Sequence, residues 1–432
     1  MKLRTISSIV NKECREYVEY TVEERALPSM IDGLKPVQRY IVFSALKSAT
    51  KDFKKIAAIG GVISDFGYNH GEAAALGTAA LMANTWTNNY PILHGQGNFG
   101  SRIVNDCAEP RYIFAKAHTN FFDMFKDMDL LEPSAVAGSD LPKYYLPVLP
   151  IVLINGVSGI ASGYSTKIRP HSVESVKRCV QQVLDTGTCD EPEISFPQFI
   201  GKISTAPGEK WYMEGTYEVI GKTRLIINEI PLKFDRVKYV AVLNALIAKD
   251  VILRYDEVDG EGNFCFKIDL KRDFDTSHAN IVKTFKLKQG FGQHINVIDE
   301  NGKLKPYRNA SSLIVDFVNF RTAVLEKRIA KKIVDTKSDY EYAYAKVDFI
   351  KKVIAKEIVF DGKTRKQVVD IIESYDNLKA HSSDLVQMNL YHMTADEIAK
   401  LEKIAAEIAK EHEYWKSTTP KKQFIKDLKD IK

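Results

Sequence analysis

Apolar and polar positions alternate along the chain in three textures. Around Glu13 to Glu24 the pattern predicts a helical arm that ends before Ala26-Leu27-Pro28. Asp32-Gly33 reads as a turn, and Pro36 suits the first position of a new helix because its missing N–H costs nothing there. Val37, Ile41, Val42 and Leu46 then recur at a spacing near 3.6. Another helix is expected after Gly71, from Ala73 to Trp86. Short helices between glycine turns, with basic residues among the apolar faces, are compatible with a helix-turn-helix or winged-helix module. From about Pro133 proline and glycine become frequent. Phe264, Phe266, Ile268 and Leu270 alternate with Cys265, Lys267 and Asp269 after the turn Asp259-Gly260-Glu261-Gly262, as a half-buried strand would. Asn301-Gly302 marks a hairpin. The middle of the chain is therefore expected to be a mixed α/β domain.

The last third changes again. Ser312 to Lys356 has no glycine or proline and carries Leu313, Phe317, Phe320, Val324 and Ile329 among many charges. A helix that long suggests a coiled-coil arm. Thr394-Ala395-Asp396-Glu397 has the form of a capping box, opening a second helix through Ile398, Leu401, Ile404 and Ile408. The two can pair antiparallel around an insertion at about 357–390, or sit as ordinary bundle helices.

Composition narrows this picture modestly. A chain of 432 residues, 45% hydrophobic and 27% charged, is a globular protein of two to four domains. Its apolar runs, such as Pro147 to Ile154, are far shorter than a membrane span, and residues 1–12 have no signal-peptide core. The five cysteines are scattered and form no C-x-x-C pair, which argues against a disulfide framework or structural zinc. A reducing cytoplasm is the expected location. The net charge of +5 is small for this length, but residues 25–60 hold seven basic residues against two acids. That local excess equals the excess of the whole chain. It suits phosphate attraction, and equally a solvated helix face.

Candidate chemistry is sparse when read locally. Gly95-Gln96-Gly97-Asn98-Phe99-Gly100 fits G-x-G-x-x-G, but neither a buried strand before it nor a helix after it supports dinucleotide binding. A loop whose backbone approaches something closely is the better reading. No P-loop motif occurs. Asp127-Met128-Asp129 could hold magnesium, yet without an accompanying glutamate it reads as a solvated helix face. Arg111-Tyr112 follows Pro110, which restricts the backbone before the pair. A tyrosine hydroxyl, ordinarily ionising at about pH 10, is a poor nucleophile. To attack a phosphodiester it needs a cation beside it, and Arg111 supplies planar donors that match phosphate. His70 can add a hydrogen bond or a proton transfer. With twenty tyrosines in the chain, the dipeptide alone identifies nothing.

The motifs taken in order carry far more. Arg25-Ala26-Leu27-Pro28, Asp32-Gly33-Leu34-Lys35-Pro36-Val37-Gln38-Arg39, His70-Gly71, Gly95 to Ser101 and Arg111-Tyr112 follow the succession found in the DNA-cleaving subunits of type IIA topoisomerases, the gyrase A kind. Asn155 to Gly163 resembles that family's N-G-x-S-G-I-A-x-G segment, and Asn228-Glu229-Ile230-Pro231 and Phe291-Gly292 continue the likeness across nearly the whole chain. In length and texture it most resembles the bacteriophage members.

The resemblance implies an α+β multidomain protein. Its parts would be an N-terminal helical arm (1–24), a winged-helix cleavage domain (25–132), a mixed α/β tower (133–311) and a long antiparallel coiled coil with a dimer gate (312–432). Tyr112 would form a 5′-phosphotyrosine ester, with Arg111, His70 and Arg25 beside the reacting phosphate. Lys35 and Arg39 would contact phosphates, Gln96 and Asn98 would touch DNA from their loop, and Ile160 would wedge between base pairs. By its composition alone, Ile160 beside three glycines reads as a buried side chain. The resemblance also implies a homodimer acting on double-stranded DNA, assembled with a partner that carries the toprim and ATPase domains. Magnesium and ATP would be bound mainly there, and no metal site is expected in this chain. The sequence has no room for a β-pinwheel after the second coil helix, which favours relaxation or decatenation over introducing supercoils. Two rival readings are a DNA clamp without chemistry and a nucleotide-dependent oxidoreductase.

This chain also departs from the pattern. Tyr68-Asn69-His70-Gly71 stands where H-P-H-G is usual, and Tyr40 stands where a second arginine is common. Ala73 and Gly77 occupy the positions linked in bacterial relatives to quinolone binding, with Gly77 in place of an acid. Weak quinolone sensitivity is therefore expected.

Overall fold

The computed structural model describes residues 5–134, 140–206, 210–258, 262–388 and 395–431. They form two compact units. One comprises the chain up to Asn319 together with the segment from Leu428, and the other is Phe320–Asp427.

In the first unit, four helical segments follow one another at the N-terminus: Ile6–Ser8, Ile9–Cys14, Arg15–Thr21 and Val22–Ala26. The arm thus begins earlier than its sequence pattern suggests. It buries nothing before Thr21 and Val22, so this chain alone gives most of it no core to pack on. The chain then enters helix Pro36–Ser48, where Pro36 takes the first turn and the Gln38 side chain accepts from Lys35 N–H at 2.9 Å. The helix buries every residue from Tyr40 to Ala45, a wider face than a simple amphipathic stripe. Helices Ile56–Gly61 and Glu72–Ala83 lie against it. Their closeness rests on small residues. A Cβ at Gly60 would come within 2.7 Å of Leu76, and Glu72–Ala83 buries Ala75, Ala79, Ala80 and Ala83. The helix ends at Ala83, short of Trp86. A three-stranded antiparallel sheet completes this part, with Phe114–Ala117 between Lys54–Lys55 and Leu93–Gln96.

Further on, Ile151–Ile154 forms one fully buried helical turn, followed by the hairpin Val157–Ile160 and Ser165–Ile168. Helix Val173–Thr186 starts at a Ser172 cap and stops at Gly187, whose φ of 81° suits glycine. A four-stranded antiparallel sheet runs in the order Ile252–Glu257, Phe266–Leu270, Arg224–Ile227, Tyr217–Ile220. Its core joins Leu225, Ile227, Phe266 and Ile268 to Tyr239, Leu243 and Phe285. The alternation expected at Phe266, Ile268 and Leu270 is present, with all three buried. Residues 259–261 of the expected turn lie outside the described set. The hairpin Ile295–Ile298 and Leu304–Tyr307 closes around Asn301-Gly302, where Gly302 takes φ 77°.

The second unit is helical. Helix Ala310–Ile354 runs into it for most of its 45 residues. Within the unit this helix and Ala395–Ser417 run antiparallel, since Lys351 pairs with Glu402 at 2.7 Å while Thr336 meets His412 at 3.0 Å. Beyond the second helix, Asp427 ion-pairs with Arg328 at 2.7 Å. The expected cap at Thr394 lies outside the described residues. The stripe on the second helix is less regular than its sequence suggests. Ile404 is 47% exposed and Ala405 is buried instead. Between the helices, Arg365–Glu373, Asp376–Lys379 and Ser382–Leu385 enclose a small core of Phe349, Ile350, Ile358, Val368, Ile372, Leu378 and Leu385.

Candidate active site

The segment Asp32 to Arg39 is organised by one buried carboxylate. Asp32 accepts from Leu34 N–H, Tyr145 N–H and the Arg39 guanidinium, the last through Nε at 2.7 Å and Nη2 at 3.0 Å. Burial opposes the charge of Arg39, but Asp32 outweighs it and holds the guanidinium above its ordinary range. Arg39 was expected to contact phosphate. Its fork is instead committed to Asp32 on a largely buried side chain, so it braces the turn that presents Lys35. Gly33 is required here: its φ is 66°, and a Cβ would lie 2.5 Å from Val152 N.

Lys35 reaches across to the hairpin Val157–Ile160 and donates to Ser158 O at 2.8 Å. Burial pushes its pKa down. The same place admits no side chain at Gly159, where a Cβ would lie 2.0 Å from Ala26 O. The Ala26 carbonyl, next to Arg25, and the Lys35 ammonium thus both press on the hairpin backbone. Ile160, at the hairpin end, is 85% exposed, which removes the reading of a buried core isoleucine. Asn155 in the same motif has a structural task, exchanging two hydrogen bonds with the backbone of Tyr90.

A groove of about 670 Å³ gathers Arg25, Lys35 and His70. His70 is half-buried, and its Nε2 lies 2.8 Å from the Tyr20 hydroxyl on the N-terminal arm. The Tyr68 ring packs edge-on against His70 at 5.3 Å. Among the groove's cations that the sequence pattern does not single out are Lys167 and Arg169. Arg169 donates to Gly292 O at 2.9 Å and stacks on Phe291, and burial lowers its pKa. Their signal was the alternation in Ser165-Thr166-Lys167-Ile168-Arg169, where Thr166 and Ile168 are buried, so both cations share the opposite face.

Tyr112 stands on a turn that the backbone pins. Its N–H donates to Glu109 O at 2.8 Å, while Pro110 O and Ile113 O accept from Ala57 and Ile56 at the start of helix Ile56–Gly61. The side chain is 65% exposed. The Arg111 guanidinium lies over its ring, 4.9 Å from the centroid. Neither residue lines the groove with His70, and Gln96, Asn98 and Ile160 do not line it either.

Gln96 ends strand Leu93–Gln96, paired with Phe114, and both Gln96 and Asn98 are exposed. The glycines of this loop are conformational. Gly97 and Gly100 take φ of 117° and 77°, and a Cβ at Gly95 would meet the Phe99 ring at 2.6 Å. The strand before the loop belongs to an antiparallel sheet, and no helix follows, so the dinucleotide reading has no support. Arg102, just beyond, is buried and pairs with Glu229 at 2.8 Å. Glu229 also accepts from Ile200 N–H and Ile230 N–H. The Asn228 to Pro231 motif therefore anchors the loop.

A magnesium ion is bound through oxygen ligands. The groove instead sets Arg25, Lys35, His70, Arg102, Lys167 and Arg169 around a single carboxylate, Glu24. No group of three or more His, Cys, Asp or Glu capable of holding a metal occurs among the described residues. Asp127 is buried while Asp129 is exposed, which corrects the reading of that pair as one solvated face. These residues do not fit a metal by themselves.

Comparison with known proteins bears on the whole chain. Residues 25–430 match the family of the DNA gyrase/topoisomerase IV A subunits. The DNA topoisomerase medium subunit of Enterobacteria phage T4 is 44% identical over 438 residues, spanning 99% of both chains. The mitochondrial DNA topoisomerase 2 of Dictyostelium discoideum is 27% identical over 99% of this chain, which spans only 35% of that protein. The solved DNA-binding, cleavage and re-ligation domain of Plasmodium falciparum topoisomerase II superposes with a TM-score of 0.85, covering 98% of this chain and 63% of that one. At 24% identity that likeness establishes a shared fold.

Proposed function

Since this chain belongs to the family of DNA gyrase/topoisomerase IV A subunits, we propose that it breaks and rejoins DNA through Tyr112 within a type II topoisomerase. The phenolic oxygen of Tyr112 attacks the phosphorus of a phosphodiester. A phosphotyrosine bond forms to the 5′ end, the bond to the 3′ oxygen breaks, and the phenolic proton passes to that leaving oxygen. Resealing is the reverse, with the 3′ hydroxyl as nucleophile. One ester replaces another, so the breakage needs no ATP.

Arg111 is assigned to the developing negative charge, and a preset guanidinium stabilises such charge without reorganising. Arg25, Lys35 and His70 bind and orient the backbone around the scissile phosphate, joined by Lys167 and Arg169. Gln96 and Asn98 are assigned to DNA from their exposed loop, and Ile160 to a base step. Within this reading the helices and three-stranded sheet of residues 25–132 serve as the winged-helix domain. Residues 133–311 serve as the tower, and the antiparallel helices with their inserted core as the coiled coil and dimer gate. Two copies would make the staggered double-strand break and pass a second duplex, giving relaxation or decatenation. The cation-lined groove supports magnesium arriving on carboxylates of another polypeptide, and ATP is assigned to that polypeptide as well. A toprim and ATPase partner supplies both, in the host cytoplasm if the protein is phage-encoded. The name of the T4 relative, a medium subunit, supports such a division.

The carrying observation is the exposed Tyr112 on a pinned turn with Arg111 against its ring. The test is covalent capture: chain, partner, duplex DNA and magnesium are incubated and then denatured. Protein-linked DNA is expected from the native chain and none from Tyr112→Phe, with DNA affinity little changed. An adduct that survives Tyr112→Phe would remove Tyr112 from the reaction. A chain that binds DNA and never forms an adduct would be a clamp.

A further inference from the structure

We propose that Tyr20 of the N-terminal arm is the positioning residue for His70, donating its hydroxyl proton to Nε2 and so presenting Nδ1–H to the DNA backbone. The inference rests on the function proposed above. Tyr20 Oη and His70 Nε2 are 2.8 Å apart, although fifty residues separate them in sequence. A neutral imidazole carries one N–H and one bare nitrogen, and the partner of one decides the state of the other. With Nε2 accepting from Tyr20, the ring proton sits on Nδ1. No hydrogen bond from a described residue occupies that nitrogen. The Tyr68 ring closes a second side of the imidazole at 5.3 Å and itself meets Tyr40 edge-on at 5.7 Å. The imidazole is therefore held by a hydroxyl and a ring, and one nitrogen remains for the groove.

The arm buries little that would keep it in place, because its residues before Thr21 are not buried and Tyr20 itself is 43% exposed. The hydrogen bond from Tyr20 ties the arm to the groove, so seating the arm and orienting the imidazole are coupled events.

The experiment measures single-turnover adduct formation and DNA affinity separately, using the chain with its partner subunit, duplex DNA and magnesium. The native chain must give an adduct and Tyr112→Phe none; failure there rejects the proposed function rather than this inference. Given that, Tyr20→Phe is expected to slow adduct formation about tenfold, roughly the worth of one hydrogen bond, at unchanged affinity. His70→Ala is expected to slow it about 100-fold, as for loss of a proton-transfer or donor group. The double variant should be no slower than His70→Ala, since Tyr20 acts only through His70. Tyr17→Phe, on the same arm and 59% exposed, should match the native rate. Tyr20→Phe at native rate, multiplicative effects in the double variant, an affinity loss that tracks the rate, or equal slowing in Tyr17→Phe would each overturn the inference.

Discussion

Lys35 shows how one residue can be recruited for its charge and penalised for it. Its ammonium reaches Ser158 O through a half-buried position, and burial lowers its pKa. The folded state therefore releases this proton at a lower pH than the unfolded chain. By linkage, Lys35 costs stability while charged, and that cost fades as pH rises from its folded pKa towards the ordinary lysine value. Its service to DNA runs the opposite way, because a neutral amine neutralises no phosphate. DNA affinity should thus decline with alkaline pH earlier than exposed lysines would allow, and Lys35→Met should remove that limb. Lys35→Met should also reduce the salt dependence of binding by about one phosphate contact. Affinities measured across pH and salt decide this, and an unchanged salt slope would release Lys35 from the interface. Arg39 illustrates the contrast. Both residues sit in one motif, yet the Asp32 carboxylate captures the second and leaves the first to the groove.

Among the elements, the hairpin Val157–Ile160 and Ser165–Ile168 and helix Glu72–Ala83 invite direct tests. Ile160 is 85% exposed, so Ile160→Ala should change stability by less than about 0.5 kcal/mol, as for other surface substitutions. If it wedges into DNA, the same variant should bend DNA less and cleave it more slowly. Bending measured by energy transfer across the bound duplex, alongside a thermal melt, separates the two effects. A large loss of melting temperature would instead mark Ile160 as structural. On helix Glu72–Ala83, Ala73 and Gly77 are both exposed one turn apart, and a Cβ at Gly77 would touch nothing. Gly77→Asp should therefore fold normally and raise the yield of quinolone-trapped cleavage complexes several-fold over the native chain, from which a weak response is expected. Equal trapping before and after the substitution would show that the drug does not use this face.

For the whole molecule, the proposed function divides the reaction between polypeptides. The purified chain should not relax supercoiled DNA with ATP and magnesium until its partner is added. Relaxation by the chain alone, after the preparation is shown to be free of the partner, would refute that division. Among the described residues the N-terminal arm buries nothing before Thr21. Much of this organisation is legible in the sequence. The 45-residue helix announces itself because it lacks glycine and proline, and the strand Phe266–Leu270 because its period is two. The groove cations Lys167 and Arg169 do not stand out, because a short strand with two basic residues resembles any solvated edge. Periodicity puts Ile404 on the inner stripe because it marks a face without saying which residues the neighbouring helix admits.

By itself the sequence identified the family, the helices near both ends of the chain, the strand Phe266–Leu270 and Tyr112, Arg111 and His70 as candidates, because short motifs and local periodicity are properties of neighbouring residues. Only the tertiary structure decided which cations are available. Arg39 is spent on Asp32, Arg102 on Glu229 at a separation of 127 residues, and Lys35 is aimed by a carbonyl 123 residues away. A charge keeps its reach for a ligand only if folding brings it no closer partner, and that depends on contacts between distant parts of the chain.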